Sequence, residues 1–501
     1  MNFKLIYIQP FLLWLSLTVV YCEPVVGVVI DDGYQELCKS RAYQCQCPVV
    51  TTNTNGTVVE IDSSHSQTTT TTIDCSDRDL QNTSQFIRFP DNIDTILFNN
   101  NKIKSIVQNT FVEGRHVNVM DLSNNNIDYI HHSVFQPLEN LQKLVLAHNQ
   151  LWNLDTNLFD GLQLLQTLDL SYNLIQSWDS SVFSPSSRRL RQLYLNHNDI
   201  GSVGLTYRAF EHLPQLEILN LETTGLRDLP DHIFSTNYKL KSLYLSGNNF
   251  QTVPNAGLQS APGLRLLDMS ATKLQTIEYN DFMGLKSLTE LRLERMSSLE
   301  SIKPYAFGDL QSLQIFVCKH NYRLTEIHSK AFTNNLTTEQ PSGLSSLILR
   351  HNSFKTLSDQ LVNWQTVSRI DLSGNPWICD CRMKWLPAMV DTKHRLMNTT
   401  KCYEPSGLSG RSIGSLTSDD FDCRSGNDLF LLILILAMIM STVGIITITY
   451  LCRQKYRFVQ TMYTSGRSVF TTKSVQKEDD FDYFNVVSNN KDLEWDDSAE
   501  P

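Results

Sequence analysis

One nine-position phrase, LxxLxLxxN, governs the middle of this 501-residue chain. Its first positions fall at 93, 117, 141, 165, 190, 216, 240, 264, 288, 313, 344 and 367, mostly 24 residues apart. Alternation of apolar and variable residues inside the phrase has the period of a strand, yet 24 residues cannot enclose a core of their own. Each copy must bury its apolar face against its neighbours, which stacks the copies into a solenoid with one strand per turn. The leucines at the first, fourth and sixth positions then point inward. So do the phenylalanines near the end of most copies: Phe111, Phe135, Phe159, Phe183, Phe210, Phe234, Phe282, Phe307 and Phe332. The ninth-position asparagines (Asn101, Asn125, Asn149, Asn173, Asn198, Asn248, Asn321, Asn352 and Asn375) sit where the strand turns, and their amides can pair backbone groups the turn leaves open. Thr224, Thr272 and Met296 interrupt that ladder, and single extra residues precede Leu299 and Leu324, so irregularity gathers from residue 290 onward.

The copies "LQKLVLAHNQLWNLDTNLFDGL" (141–162) and "LQTLDLSYNLIQSW" (165–178) are the clearest. They match the leucine-rich-repeat consensus, and the resemblance covers about two thirds of the chain. It implies an α/β solenoid, a curved array of about 12 repeats over residues 93–376 with a parallel concave β-sheet. A solenoid exposes the apolar cross-section of its last turn, and extracellular members of this class close it with disulfide-bonded caps. "NPWICDC", followed by Cys402 and Cys423 at gaps of 20 residues each, resembles the C-terminal cap (377–424). The resemblance implies Cys379–Cys402 and Cys381–Cys423, whereas spacing alone allows three pairings. Cys38, Cys45, Cys47 and Cys75 resemble the N-terminal cap (23–92), with implied pairs Cys38–Cys47 and Cys45–Cys75. A Thr/Ser-rich gap of 27 residues before Cys75 departs from the family pattern and reads as a disordered, O-glycosylated loop. An oxidising secretory route favours disulfides over zinc at these cysteines, and no metal or other cofactor is expected.

Two apolar runs set the expected topology. Residues 1–22 carry Lys4, an apolar stretch and Val20 and Cys22 at a plausible cleavage site, which reads as a secretory signal peptide. Residues 429–451 hold no charge and read as a transmembrane helix. Asp419, Asp420, Asp422 and Asp428 precede it and Arg453, Lys455 and Arg457 follow, so the positive-inside tendency predicts a single-pass type I protein of the plasma membrane with an extracellular N-terminus. Secretion makes the sequons at Asn55, Asn82, Asn335 and Asn398 candidate N-glycosylation sites, and a glycan on Asn335 would force the insertion in the tenth repeat into solvent. Cys318, on an inward repeat position, reads as a buried free thiol, and Cys452, beside the inner membrane face, as a palmitoylation candidate.

In the tail, 452–501, the first 26 residues carry six Lys/Arg and no acid, and the last 24 carry nine Asp/Glu and one Lys. The basic half should lie near anionic plasma-membrane lipid, with an attraction of ~1 kcal/mol per charge close to the surface. The acidic half should be extended and disordered. Tyr483 in "EDDFDYFNVV" resembles a tyrosine-kinase substrate whose phosphorylated form suits an SH2 adaptor, and it and Tyr456 in "YRFV" also resemble sorting signals. At 50 residues this tail is too short for an enzymatic or Toll-type signalling domain.

Function is expected on the concave sheet, roughly 50 Å of arc at ~4.8 Å per strand, which suits a protein surface. Taking the third, fifth, seventh and eighth positions as exposed, the first eight repeats show Lys143 against Asp121, Asp169, Glu222 and Asp268. The last four show Arg292, Arg295, Lys319, Arg350 and Arg369 against Glu290, Glu294 and Asp371, with His320 and His351 nearby. Tyr194 and Tyr244 project from the same face, and Tyr is enriched at interface hot spots. Ligand-binding candidates are therefore Tyr194, Tyr244, Arg292, Arg295, Lys319 and Arg350. A net charge of −10 gives no support to nucleic-acid binding, and no HExxH, GxSxG, P-loop or kinase signature points to an enzyme. The expected function is that of a cell-surface receptor or adhesion protein. It resembles neuronal and invertebrate leucine-rich-repeat transmembrane proteins without immunoglobulin domains, which implies an extracellular protein ligand or opposing-cell receptor as partner. The alternative is a non-signalling co-receptor or decoy for a secreted or pathogen-derived ligand.

Overall fold

The computed structural model describes residues 45–46, 50–52, 58–60, 72–81, 87–89, 93–183, 186–341, 343–390, 399–421 and 427–465. The chain divides into two compact units, Met1–Cys423 and Arg424–Pro501. In the first, thirteen strands of three residues each form one parallel sheet, from Thr72–Asp74 at one edge to Arg369–Asp371 at the other. The register keeps like positions side by side: Leu144 pairs with Leu168, then Leu193, Leu219, Leu243, Leu267 and Leu291 in successive strands. Every one of these leucines is fully buried. Because side chains alternate across a strand, burying the middle residue turns the two flanking ones to the open face.

Twelve strands sit on the repeated phrase. The thirteenth, Thr72–Asp74, precedes it and pairs Ile73 with Ile96 of the first repeat. Gln46 bridges antiparallel to Asp74, and a disulfide joins Cys45 to Cys75. The first edge of the sheet is thus closed by chain running in the opposite direction, which occupies backbone groups an open edge would leave to a second molecule.

Behind the sheet runs a column of phenylalanines. Ring centroids stand 6.1 Å apart for Phe111 and Phe135, 6.1 Å for Phe159 and Phe183, 6.0 Å for Phe210 and Phe234, and 5.8 Å for Phe282 and Phe307. Between Phe234 and Phe282 the short helix Asn255–Gln259 brings Leu258 into the core instead. The asparagine ladder stitches turn to turn. Asn173 Nδ2 donates to the carbonyls of Leu146 (2.9 Å) and Leu170 (3.0 Å), and its Oδ1 accepts from Leu151 N–H (3.0 Å). Where Thr224 replaces asparagine, its hydroxyl donates to Leu221 O (2.8 Å), and Gly201 N–H turns to the Thr224 carbonyl (2.7 Å).

At the far end Trp377 is fully buried, with Nε1 donating to Leu372 O at 2.8 Å. The strand Trp377–Ile378 pairs with Cys402–Glu404, and Cys379 is bonded to Cys402. Cys381 is disulfide-bonded as well. Cys38, Cys47 and Cys423 lie outside the described residues.

In the second unit the helix Asn427–Ser465 contains the stretch Leu431–Gln460, the one helix among the described residues long and apolar enough to cross a membrane. It continues past Leu451, so Arg453, Lys455 and Arg457 stand on the same helix as the apolar span.

Candidate functional site

The fifth repeat position forms a continuous column on the open face. In successive strands it reads Asp169, Tyr194, Asn220, Tyr244, Asp268 and Arg292. Tyr194 is half-buried, and its hydroxyl donates to Gln192 Oε1 at 3.2 Å. Burial raises its phenol above the ordinary range, with the charge of Asp169 and the neighbouring Tyr244 adding to the effect. Arg292 Nε donates to Glu290 Oε1 at 2.6 Å, and its guanidinium lies in the field of Asp268 and Tyr244. Tyr194, Tyr244 and Arg292 therefore share one stripe. Arg295, Lys319 and Arg350 do not join it; they stand at the seventh and eighth positions, where the strands of the later turns end.

The four outward positions are not equally open. Ser123, Ala147, Ser171 and Ser270 at the seventh position are buried, as are Asp268 and Ile348 at the fifth and Ser346 at the third. The expectation of uniform exposure needs correction there, because short side chains at the strand end fold back on the sheet. A repeated Asp-x-Ser device accompanies it at Ser123, Ser171 and Ser270. Asp121 Oδ1 accepts from Ser123 N–H (2.8 Å), Asp169 from Ser171 (2.9 Å), Asp268 from Ser270 (2.9 Å) and Asp371 from Ser373 (3.1 Å). Asp74 and Ser76 do the same before the first repeat (2.9 Å). Each carboxylate closes a local turn. Acids expected to colour the face are largely spent on holding strand ends.

Eighth-position residues have a property not read from the sequence. Asn100, Asn124, His148, Tyr172, His197, Thr223, Gly247, Ala271, Arg295, His320, His351 and Gly374 all have positive φ, from 52° to 71°. This left-handed turn aims their side chains along the sheet's edge, where rings from successive turns can meet. His148 stacks on Tyr172 and Tyr172 on His197, each at 4.1 Å, and His320 stacks on His351 at 4.7 Å. Aromatic residues recurring at that position in adjacent copies were the available signal. Trp152 and Leu174, 65% and 55% exposed, lie in the same turns as the first of these ladders.

Asn335 is exposed in the tenth-repeat insertion, where Asn334 Oδ1 holds the backbone N–H groups of Leu336 and Thr337. Asn55, Asn82, Asn398 and Tyr483 lie outside the described residues, whereas Cys452 and Tyr456 are exposed on the long helix. Cys318 is fully buried against Asn321 Nδ2 at 3.1 Å, and burial pushes its thiol up to about 12. Among the described residues no three His, Cys, Asp or Glu side chains are grouped to hold a metal ion.

A leucine-rich-repeat model matches residues 91–151, 139–200, 214–274 and 239–297, and a BspA-type leucine-rich repeat region model matches residues 275–371. Together they cover more than half of the chain. Tsukushi of Gallus gallus is 29% identical in a match that covers 32% of this chain and 54% of Tsukushi. Podocan-like protein 1 of Mus musculus is 28% identical across 44% of this chain and 38% of that protein. This chain thus spans about half or less of the length of these curated relatives. Among solved structures, a chain of the Drosophila Toll–Spatzle complex has a TM-score of 0.48 at 20% identity, covering 67% of this chain and 54% of that one. One from the mouse RP105/MD-1 complex has a TM-score of 0.48 at 21% identity, with coverage of 68% and 54%.

Proposed function

This chain belongs to the leucine-rich-repeat proteins, and from that premise we propose that it is a single-pass receptor or adhesion protein of the cell surface that binds an extracellular protein through the concave face of its sheet. The observation that carries the reading is the uninterrupted thirteen-strand parallel face. It bears partly exposed Tyr194, Tyr244 and Arg292 in one stripe and an excess of cations in its last turns. A surface of that extent suits a folded partner better than a small molecule. The short tail acts by recruiting partners at Tyr456 and Tyr483, and the chain performs no catalysis.

Membership of the surface is supported by the apolar helix and its charge asymmetry, acidic before and basic after. A tag placed after residue 23 is expected to be reached by antibody on intact cells, and a C-terminal tag only after permeabilisation. Surface staining of the C-terminal tag would reverse the topology.

The face itself is tested with a partner captured by proximity labelling on living cells. Arg292→Glu combined with Arg295→Glu should slow association, because complementary charge steers encounter more than it sets final affinity. Tyr194→Ala or Tyr244→Ala should speed dissociation, at a cost of ~2 kcal/mol or more for a buried aromatic anchor. Surface expression should be retained in each variant, since these side chains point away from the core. Unchanged kinetics in all four substitutions, with binding lost on altering the insertion around Asn335, would move the site off the sheet.

A further inference from the structure

Turns nine to eleven place a compact set of basic and titratable groups where the strands end. His320 and His351 stack in parallel planes, 4.7 Å between centroids and 10° between planes. His320 Nδ1 lies 3.3 Å from the Tyr322 hydroxyl, whose ring is 70% exposed. His351 packs over Gly374: a Cβ there would meet His351 Nδ1 at 2.4 Å, so only glycine leaves room for the imidazole. Around His320 stand Arg295, Lys319 and Arg350, and Glu294 and Asp371 face two of these cations. Lys319 Nζ is 3.2 Å from Glu294, and Arg350 reaches Asp371 only at 3.9 Å.

This set is short of negative charge. Arg350 Nε is buried and has no hydrogen-bond partner among the described residues. Exposed Arg295 makes no ion pair with any described residue, and Asp371, the partner of Arg350, already accepts from Ser373 N–H (3.1 Å) and Oγ (2.6 Å). His320 is held below the ordinary imidazole range, first by burial and then by His351, Arg350, Lys319 and Arg295. His320, beside a second ring and three cations, resists protonation unless an anion arrives. Proton and anion must then bind cooperatively, each raising the affinity for the other.

We propose that the strip formed by Arg295, Lys319, His320, Arg350 and His351 docks an acidic polypeptide segment of the partner, and that protonation of His320 in the stacked pair tightens its hold. The inference rests on the concave-face reading above and adds the chemistry of the ligand. A short acidic segment fits better than a long polyanion. The strip spans three turns, about 10 Å at ~4.8 Å per strand, which three or four extended residues cover. Any longer anionic chain running along the sheet would meet the partly exposed carboxylates of Glu222 and Asp169. Without ligand the sign is opposite. A depressed imidazole pKa stabilises the fold above the ordinary value of 6.5 and loses that contribution as pH falls below it, so acid loosens these turns until an anion binds.

The test uses the full-length protein in phosphatidylcholine nanodiscs and a short fluorescent peptide of alternating Asp and Gly, read by anisotropy at constant salt. Affinity is expected to rise about ten-fold between about pH 7.4 and about pH 5.5. His320→Asn with His351→Asn should bind equally at the two pH values, losing the acid gain. Asparagine tolerates the left-handed backbone, with φ of 60° and 54° at these positions, so the variant should fold. His148→Asn with His197→Asn should keep the gain, and Arg295→Ala with Arg350→Ala should weaken binding at both pH values. An acid gain undiminished in the His320/His351 variant overturns the proposal, as does a heparin fragment that binds where the peptide does not. If the peptide fails while the Tyr194 and Tyr244 variants still impair the captured partner, only this proposal falls. If the peptide behaves as expected and those variants leave the partner untouched, it is the concave-face reading that fails.

Discussion

Asn173→Ala is expected to lower the unfolding free energy by about 2 kcal/mol and to open the fourth turn to hydrogen exchange ahead of the rest of the array. The magnitude follows from which groups lose their last partner. Leu146 O accepts from Asn149 Nδ2 (3.0 Å) as well as from Asn173, and Leu170 O also accepts from Asn198 Nδ2 (3.0 Å). Both carbonyls therefore keep one donor after the substitution. Leu151 N–H does not: its acceptor is Asn173 Oδ1 at 3.0 Å, in a buried position. One orphaned buried donor costs ~1–3 kcal/mol, more than a shared carbonyl bond contributes. Asn173→Thr should cost nearly as much, since the hydroxyls of Thr224 and Thr272 at this position donate to Leu221 O (2.8 Å) and Met269 O (2.9 Å), and a like bond would leave Leu151 N–H orphaned. Residue-resolved exchange on the full-length protein decides it. Equal protection of turns three to five in wild type and Asn173→Ala would show that the ladder follows the stack instead of holding it.

The same residues explain what could be read before any coordinates. Inward leucines, the phenylalanine column and the asparagines recur every turn with one chemistry, and stacking is the only way 24-residue units can bury them. What escaped depends on backbone conformation. An aspartate at the fifth position looks like surface charge until its carboxylate is seen turning onto the N–H two residues on, as in Asp169 to Ser171. The eighth position looks like one more variable residue. Its left-handed φ decides that His148, Tyr172 and His197 stack face to face along the sheet's margin. Thr72–Asp74 hid for a different reason. Ile73 supplies a single inward side chain, so the strand lacks the phrase and is identified by its pairing with Ile96. Among the binding candidates, repeat position put Tyr194, Tyr244 and Arg292 on the open face of the sheet, while their separation from Arg295, Lys319 and Arg350 required the register.

Cys402→Ser should be the most damaging single change at the C-terminal end of the array. The Cys379–Cys402 bond closes a segment of sequence separation 23, and loop-closure entropy in the unfolded chain alone is worth about 3 kcal/mol for a loop of that order. Both cysteines are buried, 1% and 3% exposed, so the substitution also leaves a thiol and a new hydroxyl in a site built for neither. Beneath them lies the surface that most needs cover. Trp377 stacks on Phe354 at 6.3 Å and forms the end of the core, and the strand Cys402–Glu404 lies over it, with Cys379 N–H donating to Glu404 O at 2.8 Å. Losing the tether exposes an indole and the apolar cross-section behind it, and on the proposed secretory route quality control would retain such a chain. Surface biotinylation should show the variant largely intracellular, and limited proteolysis should cleave after residue 377 before it reaches the turns. Cys452→Ser, on the long helix, should reach the surface normally and controls for loss of a cysteine in itself. Cys379→Ala with Cys402→Ala removes the stray thiol, so a double variant as poorly exported as the single one assigns the defect to the missing tether. Normal export and protease resistance of Cys402→Ser would mean that packing of Trp377 alone seals the solenoid.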